Sequence, residues 1–537
     1  MQGFRLDYTR AALITVALVI PSFSSSASAQ QSAPSARANV TGAQVRAQAR
    51  RYREAHEADI VREFAELLAL PNVASDSVNI RRNTAAVIEL LRRRGVSARA
   101  LEGDGGPPAV YGELRSPGAA RTVVFYAHYD GQPVDPSQWT GAPFAPVLRD
   151  GSLAAGAKTI PLPLSGQRVP GESRIYARSA SDDKGAIVAM LSALDALRAG
   201  DITPSVNLKF FFEGEEEAGS SHLRPMLEKH ADVLRADAWV FCDGPVHQSG
   251  RQQVVFGARG VMGLELTTYG PLRALHSGHY GNWAPNPAVL MTTLIASMRD
   301  DDGRITIAGF SDDVRPITAA ERAALGAMPM IDTTLRRAMQ IAASEADNAP
   351  LAERIMMPAL NVRGIKVGGV RELAANAIPT EASASIDFRL VPNQKPGRVR
   401  ELVEAHLRSR GYHIVRDTPD SATRMAHAKI VRVEWDGGYA ATRAPMDIPF
   451  SRALLAAATS GAATPPLAVP TLGGSLPTST FEQVLGVPLV VLPIANYDNN
   501  QHAANENLRL QNLWDGIELF AAVMARVGHE WRENAVP

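Results

Sequence analysis

A single cysteine, Cys242, stands in 537 residues. One thiol excludes an intrachain disulfide framework and any multi-thiolate metal cluster, so metal chemistry in this chain must draw on imidazoles and carboxylates. A surplus of charge is missing as well: 55 Lys and Arg balance 55 Asp and Glu. No basic excess marks a nucleic-acid or anionic-membrane binder, and no acidic tail is present. Long hydrophobic runs are lacking too. The N-terminal run from Ala11 to Ile20 falls well short of the ~20 residues needed to span a bilayer. Arg5 and Arg10 precede it and small residues ending Ala27-Ser28-Ala29 follow it, which is the pattern of a secretory signal cut after Ala29. The expected mature protein is exported, periplasmic or secreted, without a membrane anchor. It carries 53 basic against 54 acidic residues.

What is present is ordinary globular composition, 45% hydrophobic and 20% charged, in a chain too long for one domain. After the signal at 1–29 and a Ser/Ala/Gln-rich disordered linker at 30–40, strands alternate with helices. Strands are expected at Thr122–Ala127, Val206–Phe212, Ala238–Phe241 and Pro488–Leu492, and helices at Asn79–Arg94, Asp183–Arg198 and Asn512–Val527. This order predicts an α/β fold, a three-layer domain around a mostly parallel sheet. The middle reads differently, as βαβ units of a smaller, two-layer α+β sheet built from Val261–Tyr269, Pro287–Arg299, Ala382–Leu390, Pro396–Ser409 and Ala428–Trp435. The expected division is therefore a catalytic-type domain in two parts, 41–261 and 443–537, with an inserted domain at 262–442. Residues 151–172, rich in Gly and Pro, form a long surface loop.

The chemistry gathers where apolar strands end. TVVFYA runs into His128-Tyr129-Asp130, VNLKFFF into Glu213-Gly214-Glu215-Glu216-Glu217, and AWVFC into Asp243; PLVVL leads through a loop to His502 at an expected helix start. Asp182-Asp183 opens the Asp183–Arg198 helix. In open α/β sheets ligands sit beyond the carboxyl ends of the strands. Taken singly, each piece has a plain reading: a structural histidine, a helix cap, a solvated charge run. Together they place two imidazoles and several carboxylates at one sheet edge. Three successive glutamates there repel one another, and a dication would relieve them. Imidazole with carboxylate and no thiolate suits Zn²⁺ or a similar first-row ion.

The string His128-Tyr129-Asp130-Gly131-Gln132-Pro133-Val134, with Trp139 and Pro143-Phe144, resembles the first metal motif of the M20 metallopeptidases, nearest their carnosinase-like dipeptidase branch. Ser181-Asp182-Asp183-Lys184-Gly185, Glu213 to Ser220, Cys242-Asp243 and His502-Ala503-Ala504-Asn505-Glu506 are similar to the four motifs that follow. One departure is Ala177-Arg178-Ser179, where the family has Gly-Arg-Gly. The resemblance implies a dinuclear centre with two divalent ions, Zn²⁺ first and Mn²⁺ or Co²⁺ as alternatives. Asp182 bridges them, His128 and Asp243 complete one ion, Glu217 and His502 the other. It implies Glu216 as general base, Asp130 as acceptor for the second nitrogen of His128, and a cis link between Asp182 and Asp183. It makes the inserted domain a lid and dimerisation domain, whose His276 stabilises the oxyanion in a partner subunit's site. Arg389, with Gly474 and Ser475, is implied to hold the substrate carboxylate. The implied reaction is hydrolysis of an amide next to a free carboxylate, dipeptidase or carboxypeptidase-like, on a small peptide. An N-acyl-amino-acid deacylase of the same fold is the alternative; a non-catalytic metal-binding protein is disfavoured by the presence of Glu216 beside every ligand.

Overall fold

The strand Thr122–His128 shows how this sequence builds its core. Val123, Phe125 and Ala127 belong to one apolar cluster and Val124 and Tyr126 to another. A run that is apolar at every position is thus shared between two cores by the period-two alternation of a strand, which requires cover on both faces. Asn207–Glu213 divides likewise, with Phe210 and Phe212 on one side and Phe211 on the other. The helices Gly42–Leu68, Lys184–Ala199, Pro449–Thr459 and Leu510–Glu530 pack together over the first face. The second face is covered around Phe481, whose ring meets Tyr126 and Phe241 edge-on at centroid distances of 5.3 and 5.0 Å.

This computed structural model describes residues 40–532. The expected signal at 1–29 and the linker up to residue 39 lie outside the described residues. Among the described residues no helix is long and apolar enough to cross a membrane.

The first sheet has eight strands, in the order Ser97–Leu101, Ala109–Leu114, Asn207–Glu213, Thr122–His128, Ala238–Phe241, Leu489–Val491, Gln253–Val255, Leu467–Val469. Its centre is parallel, with antiparallel pairs at one edge and between Leu489–Val491 and Gln253–Val255. Thr122–His128, Asn207–Glu213, Ala238–Phe241 and Leu489–Val491 all run the same way, so their carboxyl ends share one edge.

A second, seven-stranded sheet has the main order Ala359–Lys366, Glu381–Leu390, Gly257–Tyr269, Ile430–Tyr439, His413–Val415. It is largely antiparallel, unlike a simple run of βαβ units. The crossover through Ser421–Ala426 joins the parallel neighbours His413–Val415 and Ile430–Tyr439, but those through Pro287–Met298 and Pro396–Ser409 join strands that are parallel without being neighbours. Gly257–Tyr269 and Ala359–Lys366 both run antiparallel to Glu381–Leu390, which is inserted between them. One face of this sheet buries Met262, Leu264, Leu266, Ile386 and Phe388 under the helices Pro287–Met298 and Pro396–Ser409, giving two layers. The chain passes directly from Gln253–Val255 of the first sheet into Gly257–Tyr269 of the second, where Ala258 pairs with Thr442 and Leu472 and residues from Gly260 onward pair with Glu381–Leu390.

The 151–172 loop is bound down rather than free. Glu57, buried on the helix Gly42–Leu68, accepts from Val169 N at 2.6 Å, from Arg168 Nε at 2.9 Å and from Arg53 at 2.6 Å. Arg62 of the same helix donates to Pro163 O at 2.9 Å.

Candidate metal centre

The strand ends deliver the donors. His128 closes Thr122–His128, Glu213 closes Asn207–Glu213, and Asp243 follows Ala238–Phe241 by two residues. Asp182 sits just before the helix Lys184–Ala199, joined to Asp183 by a cis peptide as the resemblance implies. His502 lies in the connection between Leu489–Val491 and Asn507–Arg509. It does not start a helix as expected. Asn500, His502 and Asn505 have left-handed φ values of 56°, 61° and 59°, conformations that Asn and His tolerate and that keep the segment a series of turns until Leu510.

These side chains converge. His128 Nε2 lies 2.9 Å from Asp182 Oδ1 and 4.0 Å from Asp243 Oδ2. His502 Nε2 lies 3.0 Å from Asp182 Oδ2 and 3.2 Å from Glu217 Oε2. Asp182 therefore stands between the imidazoles with one oxygen toward each. Donor atoms of His128, Asp182 and Glu217 fall within 4.8 Å of one another, and so do those of His128, Asp183 and Asp243. Asp183 is an addition that the sequence pattern marks only as a helix opener. Its buried carboxylate makes no capping bond, and its Oδ2 has no hydrogen-bond partner.

The electrostatics describe a pocket with too much negative charge. Burial, then Asp182, pushes the Asp243 carboxyl up to about 7. Burial, then Asp243, raises Asp183 well above the carboxylate range, and burial with neighbouring carboxylates does the same to Glu216. Burial also opposes charge on Asp182, yet the imidazoles of His128 and His502 outweigh it and hold this carboxyl well below its usual range. The bonds to Asp182 and Glu217 raise His502 to about 10 in return. The ion-pair partners of Asp182, Asp243 and Glu217 are imidazoles, not guanidinium or ammonium groups. Two imidazoles cannot match this much buried carboxylate, and two divalent cations can. The donor set, nitrogen and oxygen without sulfur, fits first-row dications.

The loops around the donors are tied to one another. Asp130 lies 3.4 Å from His128 Nδ1, but that nitrogen has no hydrogen-bond partner. Asp130 stays beside His128 Nδ1, the neighbour expected of it, and its two oxygens also accept from backbone: Glu216 N at 3.1 Å and Glu217 N at 3.0 Å. Asp130 clamps the turn that carries these two glutamates. Gly214 permits that turn, since a Cβ there would run into the ring and hydroxyl of Tyr129. Gln132 donates to Glu217 Oε2 at 2.6 Å and Gln501 to Asp182 Oδ2 at 2.8 Å.

Glu506, to which the sequence gives no role, is fully buried and holds the Asp182 loop. It accepts from Arg178 at 2.8 Å, Ser179 N at 2.9 Å, Ser181 N and Oγ at 2.9 Å, and Asp182 N at 3.0 Å. Ser179, in place of the family's glycine, adopts a φ of 65°. That conformation costs a residue with a Cβ about 1 kcal/mol. Here Asn72 donates to its hydroxyl at 2.8 Å, and the hydroxyl donates to Asp130 O at 3.4 Å.

Arg389, Gly474 and Ser475 lie together at the junction of the two sheets. Arg389 donates to Ser475 Oγ at 2.9 Å and to Asp387 at 2.9 Å, and Gly474 is in the short strand Leu472–Ser475. Arg259, unmarked by the sequence, joins them by donating to Gly473 O at 3.0 Å. Burial, then Arg389, lowers its pKa to about 10. His276 is not brought to the cluster. It is exposed, its ring tilted against that of His279 at 4.5 Å, and its Nδ1 accepts from Gly278 N at 3.1 Å, which leaves Nε2 as the protonated nitrogen.

Comparison with known proteins places this geometry. Residues 124–526 match the family model described as Peptidase family M20/M25/M40. The chain is 26% identical over 490 residues to the Cys-Gly metallodipeptidase of Schizosaccharomyces pombe, covering 86% of this chain and 94% of that protein. It is 26% identical over 507 residues to the human beta-Ala-His dipeptidase, covering 88% and 90%. Among solved structures it is similar to an M20 family metallo-carboxypeptidase from Sulfolobus solfataricus, with a TM-score of 0.70, 28% identity, and 88% and 99% of the two chains covered. With about three-quarters of its length matched by the family model and its donors gathered at one sheet edge, this chain belongs to peptidase family M20/M25/M40.

Proposed function

We propose that this protein is a metallodipeptidase that hydrolyses the amide bond next to a free carboxylate. The observation that carries the reading is the position of Asp182, one oxygen toward each of two imidazoles, with Glu216 beside the ligand Glu217 in the same clamped turn. The relatives named for Cys-Gly and beta-Ala-His substrates support dipeptides as the substrate class.

His128, Asp182 and Asp243 would hold one divalent ion, and Asp182, Glu217 and His502 the other, with Asp183 adding a carboxylate on the Asp243 side. Such ions supply Lewis-acid polarisation of the scissile carbonyl and acidify water in the site. The remaining work falls to the chain itself. Glu216, half-buried in the clamped turn, takes the proton of the attacking water on its carboxylate and delivers it to the leaving amine. Arg389 pairs with the substrate carboxylate through its planar fork, and the Gly474-Ser475 segment adds donors beside it. His276 offers its Nε2 proton to the oxyanion of a neighbouring subunit's substrate.

The reading extends to a homodimer formed through the second sheet. Its support is the exposure of His276 and of Val362 and Ile365, 38% and 48% accessible, on the edge strand Ala359–Lys366. It also extends to zinc as the metal and to export after cleavage behind Ala29. The test is metal analysis of the purified protein coupled to a panel of dipeptides and of acetyl- and succinyl-amino acids. Turnover of dipeptides with bound dications is expected. Turnover of the N-acyl compounds alone would replace the reading with a deacylase, and absence of both metal and turnover after Zn²⁺, Mn²⁺ or Co²⁺ is added would remove it.

A further inference from the structure

Three residues stand abreast on adjacent strands of the second sheet. Val261 pairs with Arg389 on one side and with Tyr439 on the other. Residues opposite one another project from the same face, so the guanidinium and the phenol leave the sheet in the same direction, with their backbones about 9–10 Å apart.

This alignment depends on an irregularity. The register of Ile430–Tyr439 against Gly257–Tyr269 shifts between Trp435 and Gly438. Continuing the earlier register would put Tyr439 opposite Gly260 and send its ring out of the other face. The extra residue of the bulge turns it toward the side of Arg389, the way bulges beside active sites re-aim side chains.

The ring then stands between the two halves of the site. The charges acting on Tyr439 are those of Glu216 and Asp243 from the metal centre and Arg389 from its own sheet. Tyr111, Tyr126, Tyr129 and Tyr412 each direct their hydroxyl to a protein acceptor. Tyr439 as a residue is half-buried, and its hydroxyl makes no hydrogen bond among the described residues. A tyrosine in such surroundings normally finds one. Tyr439 instead leaves its hydroxyl free to donate to a ligand on the side of Arg389.

We infer that Tyr439 is a substrate-binding residue whose hydroxyl donates to the scissile carbonyl oxygen, in the same subunit, of a dipeptide held between the metal centre and Arg389. The inference rests on the dipeptidase reading and deepens it. Burial, the largest influence, raises the phenol's pKa, so it remains a donor throughout the working range. Because charge grows on that oxygen as the amide is attacked, the bond strengthens toward the transition state.

Tyr439→Phe removes the hydroxyl and keeps the ring. It is expected to lower kcat for a dipeptide about tenfold to a hundredfold with little change in KM. The affinity for a phosphinic dipeptide mimic should fall by a similar factor, while metal content and melting temperature stay at the wild-type level. Unchanged kcat and phosphinate affinity would overturn the assignment. So would a loss of activity accompanied by loss of metal or of thermal stability, which would make the residue merely structural. Wild-type protein that leaves every dipeptide intact would count against the dipeptidase reading instead, so the two failures are told apart.

Discussion

Glu216 and Glu217 are adjacent in sequence and directed to different tasks by one clamp. Asp130 holds both backbone N–H groups, so neither side chain can move without the other's turn moving too. Glu217 is drawn to His502 and Gln132, whereas Glu216 has no ion-pair partner among the described residues. Glu216→Gln is therefore expected to leave metal content near normal and to reduce turnover by about 10²–10⁴-fold. Metal analysis beside steady-state rates checks this, and undiminished turnover would remove Glu216 as the base. At this scale the sequence is readable wherever a strand runs into its donor: His128, Glu217 and Asp243 follow apolar runs closely enough that the strand end places them. Asp183 and Glu506 are not readable in the same way. The first looks like any helix opener, and the second acts through bonds to residues more than three hundred positions away, which no local pattern records.

Elements are fixed by a few buried contacts more than by propensity. The 151–172 segment has the composition of a free loop, but Glu57 anchors it from beneath. Glu57→Ala would leave the buried Arg53 and the Val169 N–H without their acceptor, an expected loss of about 3 kcal/mol. Denaturation midpoints together with limited proteolysis within 151–172 check it. A variant as stable as wild type, with the loop no easier to cut, would show that the anchor carries little. The main strands and helices follow the hydrophobic period closely; Ala238–Phe241 and Pro396–Ser409 match expectation at both ends. The His502 segment departs from it because its conformation depends on left-handed Asn and His residues, which a pattern of apolar positions does not encode. The neighbours within the second sheet were also beyond reach, since the pattern yields strands and crossovers but not the insertion of one strand between two others.

The whole molecule sets a catalytic edge beside a separate sheet that carries Arg389, Tyr439 and, on an exposed corner, His276. His276→Ala is expected to lower turnover with unchanged metal content. Mixing it with a metal-site variant such as Asp182→Ala should restore part of the activity if the histidine serves a partner's site, and assays on the mixed and unmixed proteins check this. No recovery would place His276 within its own subunit or outside catalysis. The three-layer architecture was readable because alternating strands and helices admit few arrangements. One feature of that architecture has a consequence for synthesis. Ala238–Phe241 lies between Thr122–His128 and Leu489–Val491. A chain made from its N-terminus therefore completes nearly everything else while one side of its central sheet is still an open edge. Closure over so long a sequence separation makes folding slow and leaves that edge exposed to other chains. Truncation before Leu489–Val491 would thus cost solubility as well as His502, and a nascent chain needs protection until its last segment arrives.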